Sequence, residues 1–275
     1  MRLCGNSTTL QPKKKGSYMY RLSVCAGTVL QDLPFMQRVQ EIARAGFLVD
    51  FWGIDADAVD AIAANPDIQV GAIPGWVGGS MVDPGGVDDY VKGVKQQLEL
   101  AGRLGCKNLG ICAGTMNEKG QVVHAIADHP ASLWISAYKV LCQVAELAEK
   151  HDVTFHLEQL NTKVDHARYP FPHTEDVVRL VDEVGSPRIR LLCDVYHVQI
   201  EEGNVIESIR NYYAYIGNMH VADVPGRHEP GTGEINYPAI ANVLRELDYN
   251  GVVGLEAFPR ADGATAMAQF REIFS

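Results

Sequence analysis

The sequence has no CxxC pair among its six cysteines, no glycine-rich phosphate loop, and no apolar run near the ~18 residues of a membrane span. The first absence, with the cysteines scattered, argues against a disulfide framework. The second is read at the first turn, AGTVLQD, which carries neither GxGxxG nor a P-loop and argues against a dinucleotide-binding open sheet. The third removes a spanning helix, and residues 1–18 lack the apolar middle of a signal peptide. Basic charge is also scarce, with 24 Lys and Arg against 34 Asp and Glu for a net charge of −10. Arg2, Lys13, Lys14 and Lys15 give the first 19 residues a charge of +4, which leaves −14 on the remainder. Such a body offers no basic stripe to phosphates and no attraction to an anionic membrane, so neither nucleic acid nor membrane is expected as a partner. Cys4, Cys25, Cys106, Cys112, Cys142 and Cys193 are scattered, mostly in apolar runs. They are expected to be buried reduced thiols of a cytoplasmic protein.

What is present is a chain of 275 residues, 47% apolar and 21% charged, ample for one buried core. Residues 1–18 are expected to be a disordered extension and 19–275 a single domain. Within the latter, short β-rich runs alternate with helical patterns. Strands are expected over 21–26, 47–54, 68–73, 108–112, 153–158, 189–194, 216–222 and 252–256. Helical patterns fall over 33–45, 55–64, 87–104, 131–150, 174–184, 205–213, 238–247 and 264–274, with Gly46 and Gly105 as stops. A Gly/Pro loop fills 74–86 and a longer loop 113–130. Strand–helix alternation implies parallel pairing, because a parallel neighbour needs a crossover. Eight units in this length predict an α/β fold, a single (β/α)8 TIM barrel.

In such a barrel reactive side chains gather at the C-terminal ends of the strands. Here the fifth strand ends in Glu158, the sixth in Asp194 and the eighth in Glu256, and His220 lies near the end of the seventh. One acid there is commonly a helix N-cap, and one histidine a satisfied core residue. Four on successive strands, each after an apolar run, point to a divalent cation that offsets the buried charge. Three carboxylates and one imidazole suit Mn²⁺ or Mg²⁺ foremost, with Co²⁺ or Zn²⁺ as alternatives. A metal there can take up negative charge as a C–H proton leaves a carbon between carbonyl and hydroxyl oxygens. Glu158 and Glu256, three strands apart, can flank that carbon as acid and base. His197, Arg227 and His228 are candidates for substrate oxygens or a carboxylate, Arg227 bidentately. For the last two the competing reading is a local pair with Glu229 or Glu234. Trp52 and Trp76 are candidates for the pocket wall, and Asn161 is placed to orient Glu158 and bind substrate.

The strings HLEQLN, CDVYHVQIEEGN, HVADVPGRHEPGTGEINYP and GLEAFP resemble the hydroxypyruvate isomerase family, within the xylose-isomerase-like barrel superfamily. The resemblance runs from about residue 20 to the end and is densest after residue 150. It implies the barrel fold and Glu158 and Glu256 as the acid–base pair. The related ketose 3-epimerases use a Glu–Asp–His–Glu metal set that falls on Glu158, Asp194, His220 and Glu256, with their substrate-binding His and Arg at His197 and Arg227. Many hydroxypyruvate isomerases carry Gln where this chain has His220, which leans the site towards epimerase-like metal binding. The expected activity is a metal-dependent isomerase or epimerase acting on a small sugar or hydroxy-keto acid through an enediolate, in a homodimer or homotetramer. A decarboxylase, lyase or dehydratase of a 3-oxo sugar could use the same metal site. A non-catalytic sugar-binding barrel is a further alternative. The apurinic endonuclease branch needs more histidines and a basic groove than this chain has.

Overall fold

The computed structural model describes residues 20–275 apart from 115, 118–121 and 124–128. The expected extension over 1–18, and part of the loop over 113–130, lie outside the described residues. From Arg21 to Phe274 strands and helices alternate: β1 (Arg21–Cys25), α1 (Phe35–Arg44), β2 (Leu48–Asp50), α2 (Val59–Ala64), β3 (Val70–Pro74), α3 (Val87–Leu104), β4 (Asn108–Ile111) and α4 (Pro130–His151). The second half holds β5 (Thr154–Glu158), α5 (Thr174–Val184), β6 (Ile189–Asp194), α6 (Val195–Glu201), α7 (Val205–Tyr212), β7 (Ile216–Val221), α8 (Tyr237–Glu246), β8 (Val252–Leu255) and α9 (Gly263–Phe274). The eight strands pair in sequence order, all parallel, and β1 pairs with β8 to close the barrel. This is the (β/α)8 fold that the alternation predicts.

Local chemistry explains the punctuation. Gly105 ends α3 and Gly185 ends α5, both left-handed, with φ of 65° and 68°. Asn236 and Asp262 cap α8 and α9 by accepting from Ala239 and Thr265. One helix departs from the sequence reading: α6 begins at Val195, directly after β6. Asp194 caps it, accepting from the Tyr196 N–H at 2.8 Å. The run VYHVQIE carries three β-branched residues and an aromatic, which weakens its helical signal in the sequence.

The inner layers of the barrel matter for the site. Ser23 and Asp50 are buried, and the Ser23 hydroxyl donates to Asp50 Oδ2. Gly254 makes room above them: a Cβ there would sit 2.9 Å from Asp50 Oδ2 and 3.1 Å from His220 Cδ2. A polar floor therefore lies beneath β7 and β8. Burial foremost, partly offset by His220 and Ser23, pushes Asp50 up to about 6. Among the cysteines, Cys25, Cys106, Cys112 and Cys193 are free and buried. Cys142 is disulfide-bonded, so the expectation of six reduced thiols is not met. Sequence spacing carries no sign of a pairing made in space. No helix among the described residues is long and apolar enough to cross a membrane.

Candidate metal centre

The closure of the barrel brings the four strand-end residues together. One ligand atom from each of Glu158, Asp194, His220 and Glu256 lies within 4.8 Å of all the others. Register accounts for this, since Asp194 pairs with His220 across β6 and β7, while Glu256 directly follows β8. His220 Nδ1 faces the cluster, 3.3 Å from Glu256 Oε2 and 3.9 Å from Glu158 Oε1. Both Nδ1 of His220 and Oε1 of Glu158 are buried and make no hydrogen bond among the described residues. Buried polar atoms are normally satisfied, so two unsatisfied ligand-type atoms aimed at one point fit a cation held there. The donor set, three carboxylates and one imidazole, fits a divalent ion.

Each carboxylate has neighbours of its own. Glu256 Oε1 accepts from the indole N–H of Trp52, and Glu256 Oε2 accepts from Arg227 Nη2. Asp194 Oδ1 is spent on the α6 cap, and Oδ2 accepts from Arg227 Nη2 at 2.8 Å. Glu158 Oε2 lies 3.8 Å from the Cys112 thiol, and its carbonyl accepts from the Tyr169 hydroxyl at 2.9 Å. These surroundings split the two glutamates. Burial foremost, then Glu256, pushes Glu158 up to about 8. Burial works against ionised Glu256 as well, but His220 and Arg227 outweigh it and hold that carboxyl far below its usual range. Burial likewise opposes the Asp194 charge, and Arg227 foremost outweighs it to keep the group low. For His220 burial disfavours the charge, yet Glu256, Glu158 and Asp194 together raise the ring to about 10.

The other candidates fall into two groups. His197, Arg227 and Trp52 stand against the cluster. His197 is buried and burial lowers it to about 3, so its ring is neutral. Its Nδ1 faces the Asn161 backbone N–H at 3.2 Å, and its Nε2 faces Arg227 Nη1 at 3.1 Å. Asn161 thus orients His197, not Glu158 as its sequence position suggests; its own carbonyl accepts from Val164 and Asp165. Trp52 is 51% exposed and meets Phe258 edge-on at 5.9 Å. Trp76 stands apart, stacked on Tyr90 of α3 and packed against the core. His228 is turned to the loop after β8, with Nδ1 2.7 Å from the Phe258 carbonyl. The local pairing alternative for Arg227 is not what the structure has: Glu229 accepts from the Arg260 N–H and Glu234 from Gln199. Sequence reasoning missed Cys112 and Phe258. Cys112 sits at the end of β4, as the others sit at the ends of theirs, and Phe258 stands two residues past Glu256 in GLEAFP.

Comparison with known proteins agrees with this geometry. Residues 37–273 match the family described as xylose isomerase-like TIM barrel. A 2-oxo-tetronate isomerase from Cupriavidus necator is 34% identical over 254 residues, covering 88% of this chain and 94% of that protein. The hydroxypyruvate isomerase of Escherichia coli is 27% identical, covering 88% of this chain and 95% of its own length. Among solved structures, one described as an AP endonuclease, family 2, from Brucella melitensis superposes with a TM-score of 0.82 at 25% identity. It covers 92% of this chain and 99% of that one. With the closed barrel and the four-residue cluster at its rim, these matches place the chain: it belongs to the xylose isomerase-like TIM barrel family and is an enzyme of the isomerase class.

Proposed function

We propose that this chain is a divalent-metal-dependent isomerase of a small hydroxy-keto acid, with a sugar ketose as the second reading. The convergence of Glu158, Asp194, His220 and Glu256 within 4.8 Å carries the proposal. A divalent cation held by these four residues, Mn²⁺ or Mg²⁺ by donor type, would act as a Lewis acid on adjacent substrate oxygens. The protein's own groups supply the proton traffic. Glu256, kept ionised by its neighbours, accepts the C–H proton. Glu158, on the other side of the site, delivers a proton to the neighbouring carbon. The two carboxyls flank the reacting carbons and take the base and acid roles, which exchange in the reverse reaction. The His197 ring, held by Asn161, meets a substrate oxygen through Nε2. Arg227 pairs with the substrate carboxylate. Trp52 and Phe258 wall the site and exclude water.

The relatives named hydroxypyruvate isomerase and 2-oxo-tetronate isomerase support the acid substrate, and His220 as a nitrogen ligand is what favours the ketose reading. The test is C–H exchange in D₂O. The Mg²⁺-loaded protein would be incubated with hydroxypyruvate, erythrulose, tagatose and psicose and followed by proton NMR. Exchange and product formation are expected with hydroxypyruvate. Exchange confined to the ketoses would shift the assignment to an epimerase, and exchange with none of them would sink the proton-transfer reading.

A further inference from the structure

We propose that the Arg227 guanidinium and the divalent cation are alternative partners of Asp194 and Glu256, so that Arg227 sets the metal affinity of the site and, once displaced, becomes the receptor for an anionic substrate. This rests on the metal reading above and adds to it an order of assembly, metal before substrate.

The oxygens decide it. Asp194 Oδ1 is committed to the Tyr196 N–H and Glu256 Oε1 to the Trp52 indole. The oxygens free of a backbone or indole contact are Asp194 Oδ2 and Glu256 Oε2. Both accept from the same atom, Arg227 Nη2. A divalent ion within bonding distance of those two oxygens would sit a few ångströms from a permanent positive charge, in a buried setting where screening is weak. The two cations therefore compete.

The other side of the guanidinium is poorly matched. Nη1 lies 3.1 Å from His197 Nε2 while Nδ1 of the same ring faces the Asn161 N–H, so a neutral imidazole with one ring proton meets a donor at each nitrogen. One of the two contacts therefore sets a donor against a donor. Nε of Arg227 is buried and without a hydrogen-bond partner among the described residues. Arginine binds a carboxylate through a fork of two N–H groups, and one tine is unused here. Meanwhile the backbone of Arg227 is pinned. Its carbonyl accepts from the Phe258 N–H at 2.7 Å, and its φ is 54°. The guanidinium also lies over the Tyr196 ring, 4.6 Å from its centroid. Displacement is therefore a side-chain swing about a fixed anchor, with the aromatic face to move across. The swing frees two carboxylate oxygens for metal, uncovers His197 Nε2, and presents the whole guanidinium fork to a substrate carboxylate.

The test compares Mn²⁺ binding by calorimetry in the chelator-stripped wild type and in Arg227→Met. Tighter binding by the variant is expected, by about fivefold or more, the low end of coupling between competing ligands. Binding by both with equal affinity, or weaker binding by the variant, overturns the role of Arg227 and leaves the metal site standing. No binding by either overturns the metal reading itself. A measurement on the unaltered protein guards against misfolding of the variant. With ¹⁵N-labelled arginine, the Nε–H resonance of Arg227, assigned from its loss in Arg227→Lys, is expected to shift as Mg²⁺ is added and to saturate with binding. A resonance that stays in place at saturation overturns the proposal.

Discussion

Glu256 and Glu158 are the same residue type in one cluster, yet their neighbours separate them. Arg227, His220 and Trp52 all stabilise charge on Glu256, whereas Glu158 has a thiol and the other carboxylates nearby. Glu256→Gln is therefore expected to lower kcat by roughly 10²- to 10⁴-fold at saturating metal, the usual worth of a general base. Steady-state kinetics beside a metal titration would check it, and full turnover with metal bound would remove Glu256 from the proton transfer. Asp50 gives a second residue-scale prediction. Its folded-state value is about 6 against 3.8, so the protonated form is favoured by folding. Its contribution to stability is present below the unfolded value and is lost as pH rises through 6. Asp50→Asn keeps an acceptor for Ser23 and cannot ionise. Between pH 4 and 7 the variant should gain on the wild type by up to roughly 3 kcal/mol, in chelator-stripped protein followed by urea unfolding. A difference that does not change with pH would refute the assignment.

At the scale of elements, α3 offers a contrast within three residues. Gly102 lies exposed within the helix, with nothing within 4 Å of a built Cβ, whereas Gly105 ends it at φ 65°. Gly102→Ala is expected to stabilise by about 0.5–1 kcal/mol, because alanine has less unfolded-state entropy to lose. Gly105→Ala, equally unhindered by neighbours, is expected to destabilise by about 1 kcal/mol through left-handed strain. Thermal unfolding of the two variants separates the effects by sign. The short α6 shows the same economy in another form. Asp194 serves its cap with one oxygen and the cluster with the other, so the cap and the ligand readings of that residue are compatible.

For the whole molecule, a cation held at the rim would join β5, β6, β7 and β8. A ligand that binds only the folded state stabilises by about 2.7 kcal/mol at a hundredfold excess over Kd. For a chain of this size that corresponds to roughly 5–10 °C in Tm. Mn²⁺ added to chelator-stripped protein should raise Tm by that amount, and EDTA should reverse it. The same titration on Asp194→Asn should show little response, since the oxygen opposite the cap is lost. An equal rise in the variant would place the ion elsewhere.

Much of this was readable from one dimension. The alternation of apolar runs and helical patterns set the strand count, because the periods that bury a strand or a helix are local properties of the chain. Glu158, Asp194, His220 and Glu256 could be picked out because each follows a buried run, and parallel strands in sequence order carry their C-terminal ends to one rim. Pairings between distant residues were not readable. That Arg227 reaches back to Asp194 and Glu256, that Asn161 serves His197, that Cys112 stands beside Glu158, and that Trp76 turns to Tyr90 all depend on ring closure and loop paths. The sequence by itself determined the barrel and its charged rim, since both follow from local patterning. Only the tertiary structure decided which oxygens of that rim are spent and which remain, because a hydrogen bond is made between neighbours in space.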